Sequence, residues 1–493
     1  MNNHDEDGYG HVLKYTGIFG GVQGLIIFIS LVRNKCMALF LGAGGMGFNS
    51  LLTSVQNFAS QCTNLGISFG GVPRLSELYE RGERSQIDYY IQVIRLWSLL
   101  AAVMGVVFCV VISPFIDILS FTWGNHTLHY ALLGLAVGMA AITGGEMAIL
   151  KATRKLGSLA KVQVYSAIAA VLVSVPLYYY FWHTGVLPAI VLIAAATMLT
   201  TIFYSYRCFP LRLQFTRQQL RDGAGMIRLG ISFVLASAVG SCAEMLVRSF
   251  LNVEGSLEDI GLYNVGYMVT ITYAGMVFSS MENDYYPRLS AINQDILATN
   301  LTVNKQMEVS LLLLSPMLVA LLTALPLLIP LLFSEEFLPV VAMTQVAVLA
   351  MYFKVLTLPV AYITLARGYS LFYLMLESSY FIVFVLLIMV CYRQWGIFGT
   401  GVAIVLAHVF EYILINVFAY WKYDYRCTWQ LVRYATVQMV IGVMALAVSF
   451  LTDGWVYWIT EAALTAVSTA YSLYVLRRKT HLWEALKRKL RAS

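Results

Sequence analysis

The stretch GVPRLSELYER at residues 71–81 returns in altered form as YYPRLSAINQD at residues 285–295, so Pro-Arg-Leu-Ser occurs twice, 214 positions apart. Two other matches keep the same order and nearly the same separation. Gly47 pairs with Gly261 at 214, and Leu-Val-Arg at 31–33 pairs with Leu-Val-Arg at 246–248 at 215. One short match can arise by chance, but three in one order indicate two copies of an ancestral unit.

The composition places both copies in a membrane. Of the 493 residues, 59% are hydrophobic and 12% are charged, whereas about a quarter of the residues in a soluble protein are charged. Apolar runs long enough to cross a ~30 Å hydrocarbon layer as helices recur along the whole chain. They predict about fourteen spans, at residues 15–39, 44–71, 91–115, 129–150, 160–182, 185–206, 226–250, 259–285, 307–333, 339–366, 371–392, 396–421, 431–451 and 454–476.

Basic residues predict the orientation, since lysine and arginine are enriched in cytoplasmic loops. With the N-terminus inside, 27 of the 32 lysines and arginines fall on inward loops and flanks. The acidic start MNNHDEDGYGHVLKY lacks the features of a cleaved signal peptide. We therefore expect a multi-pass protein with both termini in the cytoplasm, ending in a basic amphipathic tail at residues 477–493 that lies on the inner leaflet.

The two Pro-Arg-Leu-Ser copies follow the second and the eighth span, six spans apart. Because six is even, both copies enter the membrane in the same direction, as parallel repeats. We expect an all-α polytopic fold with two six-helix lobes, residues 1–206 and 207–421, around a central cavity. Two additional transmembrane helices are predicted within residues 422–476.

Motifs for enzymatic chemistry are weak in this sequence. LGAGGMG holds Gly42, Gly44 and Gly47 in the spacing of a dinucleotide fingerprint, but it lies between two spans rather than between a strand and a helix. These glycines are better suited to a tight turn and close helix packing. There is no P-loop and no HExxH motif, the seven cysteines lack metal-ligand spacing, and no nucleic-acid module is visible. We therefore expect no enzymatic activity, metal, cofactor or nucleic-acid partner.

Cations inside the spans are the strongest candidates for a binding site, because charges in a membrane are expensive. Arg33 and Arg248 occupy repeat-equivalent positions in the outer thirds of spans one and seven, with Lys35 close to Arg33, and Lys354 lies near the middle of span ten. Snorkelling to the interface remains an alternative for the first three. Together the cations predict a cavity for an anion, and arginine suits phosphate because it donates two parallel hydrogen bonds.

Three carboxylates are candidates for charge pairing or ion coupling. Glu244 precedes Arg248 by four residues and shares its helix face. Glu411 lies near the middle of span twelve, three residues after His408, and Glu146 lies nearer the inner end of span four. Each could neutralise a buried cation or carry a coupling ion.

The segment LVRNKCMALFLGAGGMGFNSLLTSVQNFASQCTNLGI, residues 31–67, resembles the first two helices of polysaccharide flippases of the O-antigen translocase type. These share a superfamily with multidrug and toxin extruders and lipid II flippases, and the resemblance extends over the twelve-helix core, more weakly after about residue 300. It implies a bacterial inner-membrane protein of lipopolysaccharide or other surface polysaccharide biosynthesis. Such a protein moves an undecaprenyl-diphosphate-linked oligosaccharide from the cytoplasmic to the periplasmic leaflet by alternating access.

The same resemblance implies a role for Arg33 and its repeat partner Arg248 as diphosphate ligands, to which Lys354 is added from its depth in the membrane. It also implies membrane lipids as partners, together with polysaccharide polymerase and chain-length machinery. A lipid II flippase fits the same span count and stays open. A multidrug or cation antiporter would favour an acidic and aromatic cavity, and a membrane-embedded polymerase or ligase would need a large outward loop, whereas the longest one predicted is 116–128.

Overall fold

The chain is described by a computed structural model for residues 3–120, 126–211, 216–273, 285–286, 288–290, 292 and 294–479. Throughout these residues the regular structure is helical and contains no strand, which confirms the predicted all-α polytopic fold. The helices are α1 (Asn3–Thr63), α2 (Ile67–Arg81), α3 (Arg84–Ser120), α4 (Thr127–Ala152), α5 (Leu156–Phe181), α6 (Val186–Cys208), α7 (Arg217–Glu254), α8 (Leu257–Tyr267), α9 (Ile296–Leu332), α10 (Val340–Val348), α11 (Ala350–Ala366), α12 (Ser370–Tyr423), α13 (Trp429–Leu451) and α14 (Gly454–Lys479).

Among the described residues, nine stretches of helix are long and apolar enough to cross a membrane. Three of them are double length, and each bends at a predicted boundary between two spans: at Gly42 in α1, at the 3-10 turn Trp182–Gly185 between α5 and α6, and at Gly396 in α12. The nine stretches therefore account for twelve predicted spans. Helix α7, and α8 with its π-helical continuation Met268–Tyr273, correspond to the other two.

The two helix breaks at Gly42 and Gly396 depend on glycine. Their φ angles are 64° and 57°, in the region that side chains with a Cβ rarely adopt. The Gly42 break confirms that LGAGGMG makes a tight turn between two spans. A dinucleotide fingerprint would instead open a helix after a strand.

Helix α8 crosses the second half of α1 at the repeat-equivalent glycines. A Cβ on Gly47 would lie 1.8 Å from the carbonyl oxygen of Leu257, and a Cβ on Gly261 would lie 2.0 Å from that of Ala43. Each glycine thus meets the residue four positions before the other glycine. The contact is therefore reciprocal, and the duplication itself stays a prediction.

Contacts divide the chain into two compact units. The first contains Met1–Gly261 and Leu332–Ser334, and the second contains Leu262–Leu331 and Glu335–Ser493. Helix α7, which the sequence assigns to the second lobe, packs on α1, α2 and α3 within the first unit. The lobe boundary between residues 206 and 207 is placed from the sequence repeat, and it stays a prediction.

The segments that carry the repeated motif are only partly described. The first copy is helical, with Pro73 inside α2, and Arg74 on the helix surface bonds Glu77 at 2.7 Å. In the second copy, Pro287 lies outside the described residues, as does the predicted tail beyond Lys479.

Candidate functional site

Arg248 is a buried cation on α7. Its side chain is 8% exposed and pairs with Glu244 at 3.2 Å, one turn earlier on the same helix, as the four-residue spacing predicts. Its Nη1 also donates to the Glu244 carbonyl at 3.1 Å, and its Nε donates to the Ser50 hydroxyl on α1 at 2.8 Å. The guanidinium is therefore held between two helices, while the Glu244 side chain remains 36% exposed.

Arg33 and Lys35 lie on the first half of α1, before the break at Gly42, and both side chains are half-buried. Arg33 is within electrostatic reach of Tyr178 on α5. Arg248 contacts the second half of α1 at Ser50. Three of the four predicted diphosphate ligands thus belong to the first unit, whereas the fourth, Lys354, belongs to the second.

Glu146 forms a buried salt bridge with a partner that the sequence did not indicate. Both of its oxygens meet Arg95 of α3, at 2.7 and 3.2 Å, and the two side chains are only 3% and 4% exposed. The Ser205 hydroxyl of α6 donates to Glu146 at 2.5 Å. Arg95 also donates to the carbonyls of Phe209 and Pro210, at 2.8 and 3.1 Å, and so ties down the segment that follows α6.

The second unit contains a polar cluster around Lys354 of α11, which lies five residues before Pro359. Glu377, Glu411 and His408, all on α12, are within electrostatic reach of the Lys354 ammonium group. His408 is 2% exposed and Glu411 is 8% exposed. The sequence placed Lys354 and Glu411 on different spans, and the fold brings them into one site.

Two atoms of this cluster lack a hydrogen-bonding partner within the described part of the chain. They are Oε2 of Glu411 and Nε2 of His408, and both are buried. Nδ1 of His408 lies 2.9 Å from the carbonyl oxygen of Ile404, which can only accept, so Nδ1 carries a proton and donates. In the neutral tautomer Nε2 is then an acceptor, and the cluster can take up a proton or a small cation without displacing an existing bond.

Arg95 and Glu377 are the residues that sequence reasoning missed. Arg95 lies near the end of α3 that is predicted to face the cytoplasm, where positive charge is expected from topology alone. Its partner Glu146 is 51 residues away in sequence, so no local pattern links the two. Glu377 lies six residues inside the predicted span 371–392, and a carboxylate at that depth is a usable signal. No group of three or more potential metal ligands is found among the residues that the structure describes.

Solved structures with the same fold are transporters. The lipid II flippase MurJ in an inward closed conformation is 12% identical, with a TM-score of 0.68 over 94% of this chain and 99% of that one. A multidrug resistance MATE family transporter of the MOP superfamily, inward-facing, is 15% identical with a TM-score of 0.65, over 81% and 94% of the two chains. A MOP superfamily transporter from Pyrococcus furiosus is 12% identical with a TM-score of 0.55, over 83% and 96%. At these identities the likeness establishes the fold.

The sequence itself establishes the family. No protein of curated function matches it, but the profile of a family described as polysaccharide biosynthesis proteins matches residues 36–342. This range includes residues 36–67 of the segment that resembles polysaccharide flippases, and the predicted resemblance is confirmed. Because the match spans more than half of the 493 residues, the chain belongs to the polysaccharide biosynthesis protein family, in the form of a multi-pass membrane protein with the MOP superfamily fold.

Proposed function

We propose that the protein flips an undecaprenyl-diphosphate-linked oligosaccharide, the repeat unit of an O-antigen or other surface polysaccharide, from the cytoplasmic to the periplasmic leaflet. The buried Arg248, together with membership of a polysaccharide biosynthesis family, carries this proposal. An isolated cation in a membrane is strongly unfavourable unless it has a counter-charge. The counter-charge of Arg248 is the partly exposed Glu244, so the guanidinium can exchange this partner for a phosphate, and a diphosphate is the anion of the lipid carriers on which glycans are built.

The chemistry of the substrate fits a groove lined by cations. Its diphosphate and sugar hydroxyls cannot cross hydrocarbon unaided, whereas the polyprenyl chain can stay in the lipid. Arg33, Lys35, Arg248 and Lys354 are the proposed diphosphate ligands. Arginine is well suited because its planar fork can donate to two phosphate oxygens at once.

Glu244 is the proposed counter-ion of Arg248 in the absence of substrate. It is bonded to Arg248 at 3.2 Å and is partly exposed, so a phosphate could displace it at small desolvation cost. Glu411 in the second unit is the proposed carrier of a coupling proton or cation. Glu146 is better explained as a structural group, because Arg95 and Ser205 already satisfy both of its oxygens.

The same proposal places the protein in the bacterial inner membrane with both termini in the cytoplasm, working beside a polysaccharide polymerase and chain-length machinery. The orientation can be tested by cysteine labelling in intact cells. Ser85→Cys should react only with membrane-permeant reagents, and Thr184→Cys should also react with impermeant ones. Labelling in the opposite sense would overturn both the orientation and the direction of transport.

Native mass spectrometry of protein extracted gently from its host tests the substrate class. A retained polyprenyl diphosphate glycan would support the proposal. Ordinary phospholipids alone, with saturable binding of cationic dyes, would favour a multidrug antiporter instead. Lipid II as the retained species would identify a lipid II flippase.

A triple variant tests the residues. Arg33→Gln, Arg248→Gln and Lys354→Gln together should abolish export of the polysaccharide at normal protein levels. The matched control removes three exposed cations, with Arg81→Gln, Arg154→Gln and Arg426→Gln, and should export normally. Unchanged export by the first variant would refute the proposed diphosphate site.

A further inference from the structure

A cavity of about 650 Å3 lies within the first unit, formed by residues outside the charged groups described above. This volume is typical of a site for a small ligand. The second half of α1, the start of α4, the turn Trp182–Gly185 and the α7–α8 junction form its walls. In the predicted topology, these segments all lie at the periplasmic end. Its lining includes Phe48, His126, His129, His183, Asn252 and Glu258.

One wall of the cavity is aromatic. The ring of Phe48 lies edge-on to His126, with centroids 6.4 Å apart, and to His129, with centroids 6.3 Å apart. The two imidazoles are 5.4 Å from each other. The three rings therefore pack against one another and form one aromatic wall.

The other walls are polar. His183 packs against the backbone of Gly45, where a Cβ would come within 3.0 Å of its Nδ1. Asn252 supplies a buried amide and Glu258 an exposed carboxylate. Nδ1 of His129 is buried and has no hydrogen-bonding partner among the residues described. A buried polar atom without a partner is unfavourable, so a ligand hydroxyl, which can both donate and accept, is favoured there.

We propose that this cavity binds one uncharged sugar ring of the transported glycan on the exit side of the protein, an inference that rests on the proposed function. A sugar ring has an apolar C–H face and a rim of hydroxyls. The C–H face fits the wall of Phe48 and the imidazoles, and the hydroxyls can reach His129, Asn252 and Glu258.

The charge of the cavity favours a neutral sugar over an anion. The lining residues described include one acidic side chain, Glu258, and no lysine or arginine. Burial lowers the pKa of His126 below its ordinary value, and the nearby His129 lowers it further. The carboxylate of Asp117 has a smaller effect that raises it. A phosphate or a uronate would therefore be repelled by a carboxylate without a fixed cation to balance it.

Saturation-transfer NMR on the full-length protein in nanodiscs tests the inference. The probes are the methyl glycosides of glucose, galactose, mannose, rhamnose and N-acetylglucosamine, with glucuronate and inorganic phosphate as anionic controls. We expect transfer to at least one neutral glycoside and no competition from either anion at neutral pH. Absence of transfer to every glycoside, or displacement of a bound glycoside by phosphate or glucuronate, would overturn the proposal.

Two variants locate the binding. Phe48→Ala removes the phenyl ring from the aromatic wall. His129→Phe keeps an aromatic ring but removes the imidazole nitrogens. Both variants should abolish saturation transfer to the glycosides. If Phe48→Ala folds poorly, the result for His129→Phe still tests the proposal. Tyr180→Ala removes an exposed aromatic side chain from the neighbouring end of α5 and should bind as the unmodified protein does. Undiminished transfer in His129→Phe would place the sugar elsewhere and refute this cavity.

A parallel measurement separates this inference from the proposed function. Bare undecaprenyl diphosphate carries no sugar, so its binding in native mass spectrometry depends on the proposed cationic site alone. If it binds while no glycoside does, the cavity inference fails and the proposed function stands. If the glycosides bind and undecaprenyl diphosphate does not, the proposal of a diphosphate-linked substrate fails. The cavity would then bind sugars, but its proposed role on the exit side of a flippase would fail as well.

Discussion

Replacing Glu146 by glutamine should destabilise the first unit by about 3–5 kcal/mol, the usual effect of removing one partner from a buried salt bridge. The pair is nearly inaccessible, with Glu146 at 3% and Arg95 at 4% exposure. Glutamine matches the size of glutamate, so packing changes little and the loss is electrostatic. Arg95 would keep its bonds to the Phe209 and Pro210 carbonyls but would lose the opposite charge.

The predicted loss can be converted into a thermal shift. In a domain of 150–250 residues, each kcal/mol moves the unfolding midpoint by about 2–4 °C, and the first unit is close to that size. Glu146→Gln should therefore lower the midpoint by roughly 6–20 °C. Thermal unfolding of the detergent-solubilised protein, followed by circular dichroism, measures this shift.

An exposed ion pair serves as the control. Glu80 pairs with Arg154, and the two side chains are 60% and 68% exposed, so Glu80→Gln should cost less than about 1 kcal/mol. In addition, Arg95→Gln combined with Glu146→Gln should be less destabilising than the sum of the two single changes. If Glu146→Gln left the midpoint unchanged and abolished transport, Glu146 would be an ion-coupling residue, and the structural assignment would be wrong.

Three further changes test other parts of the fold. Gly47→Ala and Gly261→Ala should each reduce the yield of folded protein, since their Cβ atoms would overlap carbonyl oxygens at 1.8 and 2.0 Å. Gly157→Ala is the control and should not reduce it, because the space around Gly157 is open. Equal yields of the three variants on size-exclusion chromatography would refute the close crossing of α8 and α1. His126 has a folded-state pKa below its ordinary 6.5, so the unfolded chain binds a proton at this position more readily than the folded protein does. Thermal stability should therefore fall as the pH drops below about 6.5. His126→Gln should reduce this pH dependence, and an unchanged pH profile would show that His126 does not cause it. Glu377→Gln should impair transport as strongly as the loss of a predicted site residue, and normal export would remove Glu377 from the cluster.

The sequence predicted the number and type of the helices well because the apolar run that marks each span is local. A span needs about twenty apolar residues irrespective of its neighbours, so the composition of residues 160–182 is informative without any tertiary contact. The break at Gly42 was predictable for the same reason, since a turn between two spans has a local glycine requirement.

Pairing between helices was harder to predict. Glu244 and Arg248 are one turn apart, so helix geometry alone predicts their contact. Arg95 and Glu146 are separated by 51 residues, and no single-sequence pattern links α3 to α4 at that register. Lys354 and Glu411 were found individually from depth, while their common site depends on how α11 packs on α12.

Two buried ionic groups among the described residues, Glu146 with Arg95 and the cluster around Lys354, differ in how completely their hydrogen bonds are satisfied. This difference supports the structural role proposed for Glu146 and the coupling role proposed for Glu411. Every oxygen of Glu146 has a donor, and Arg95 bonds two further carbonyls, so a proton or ligand could bind there only by breaking existing bonds. Around Lys354, Glu411 and His408 each retain a buried atom that no described residue bonds. Leaving such atoms unsatisfied lowers stability. Binding of a proton or a cation there, as proposed for Glu411, would satisfy them and change the balance between conformations.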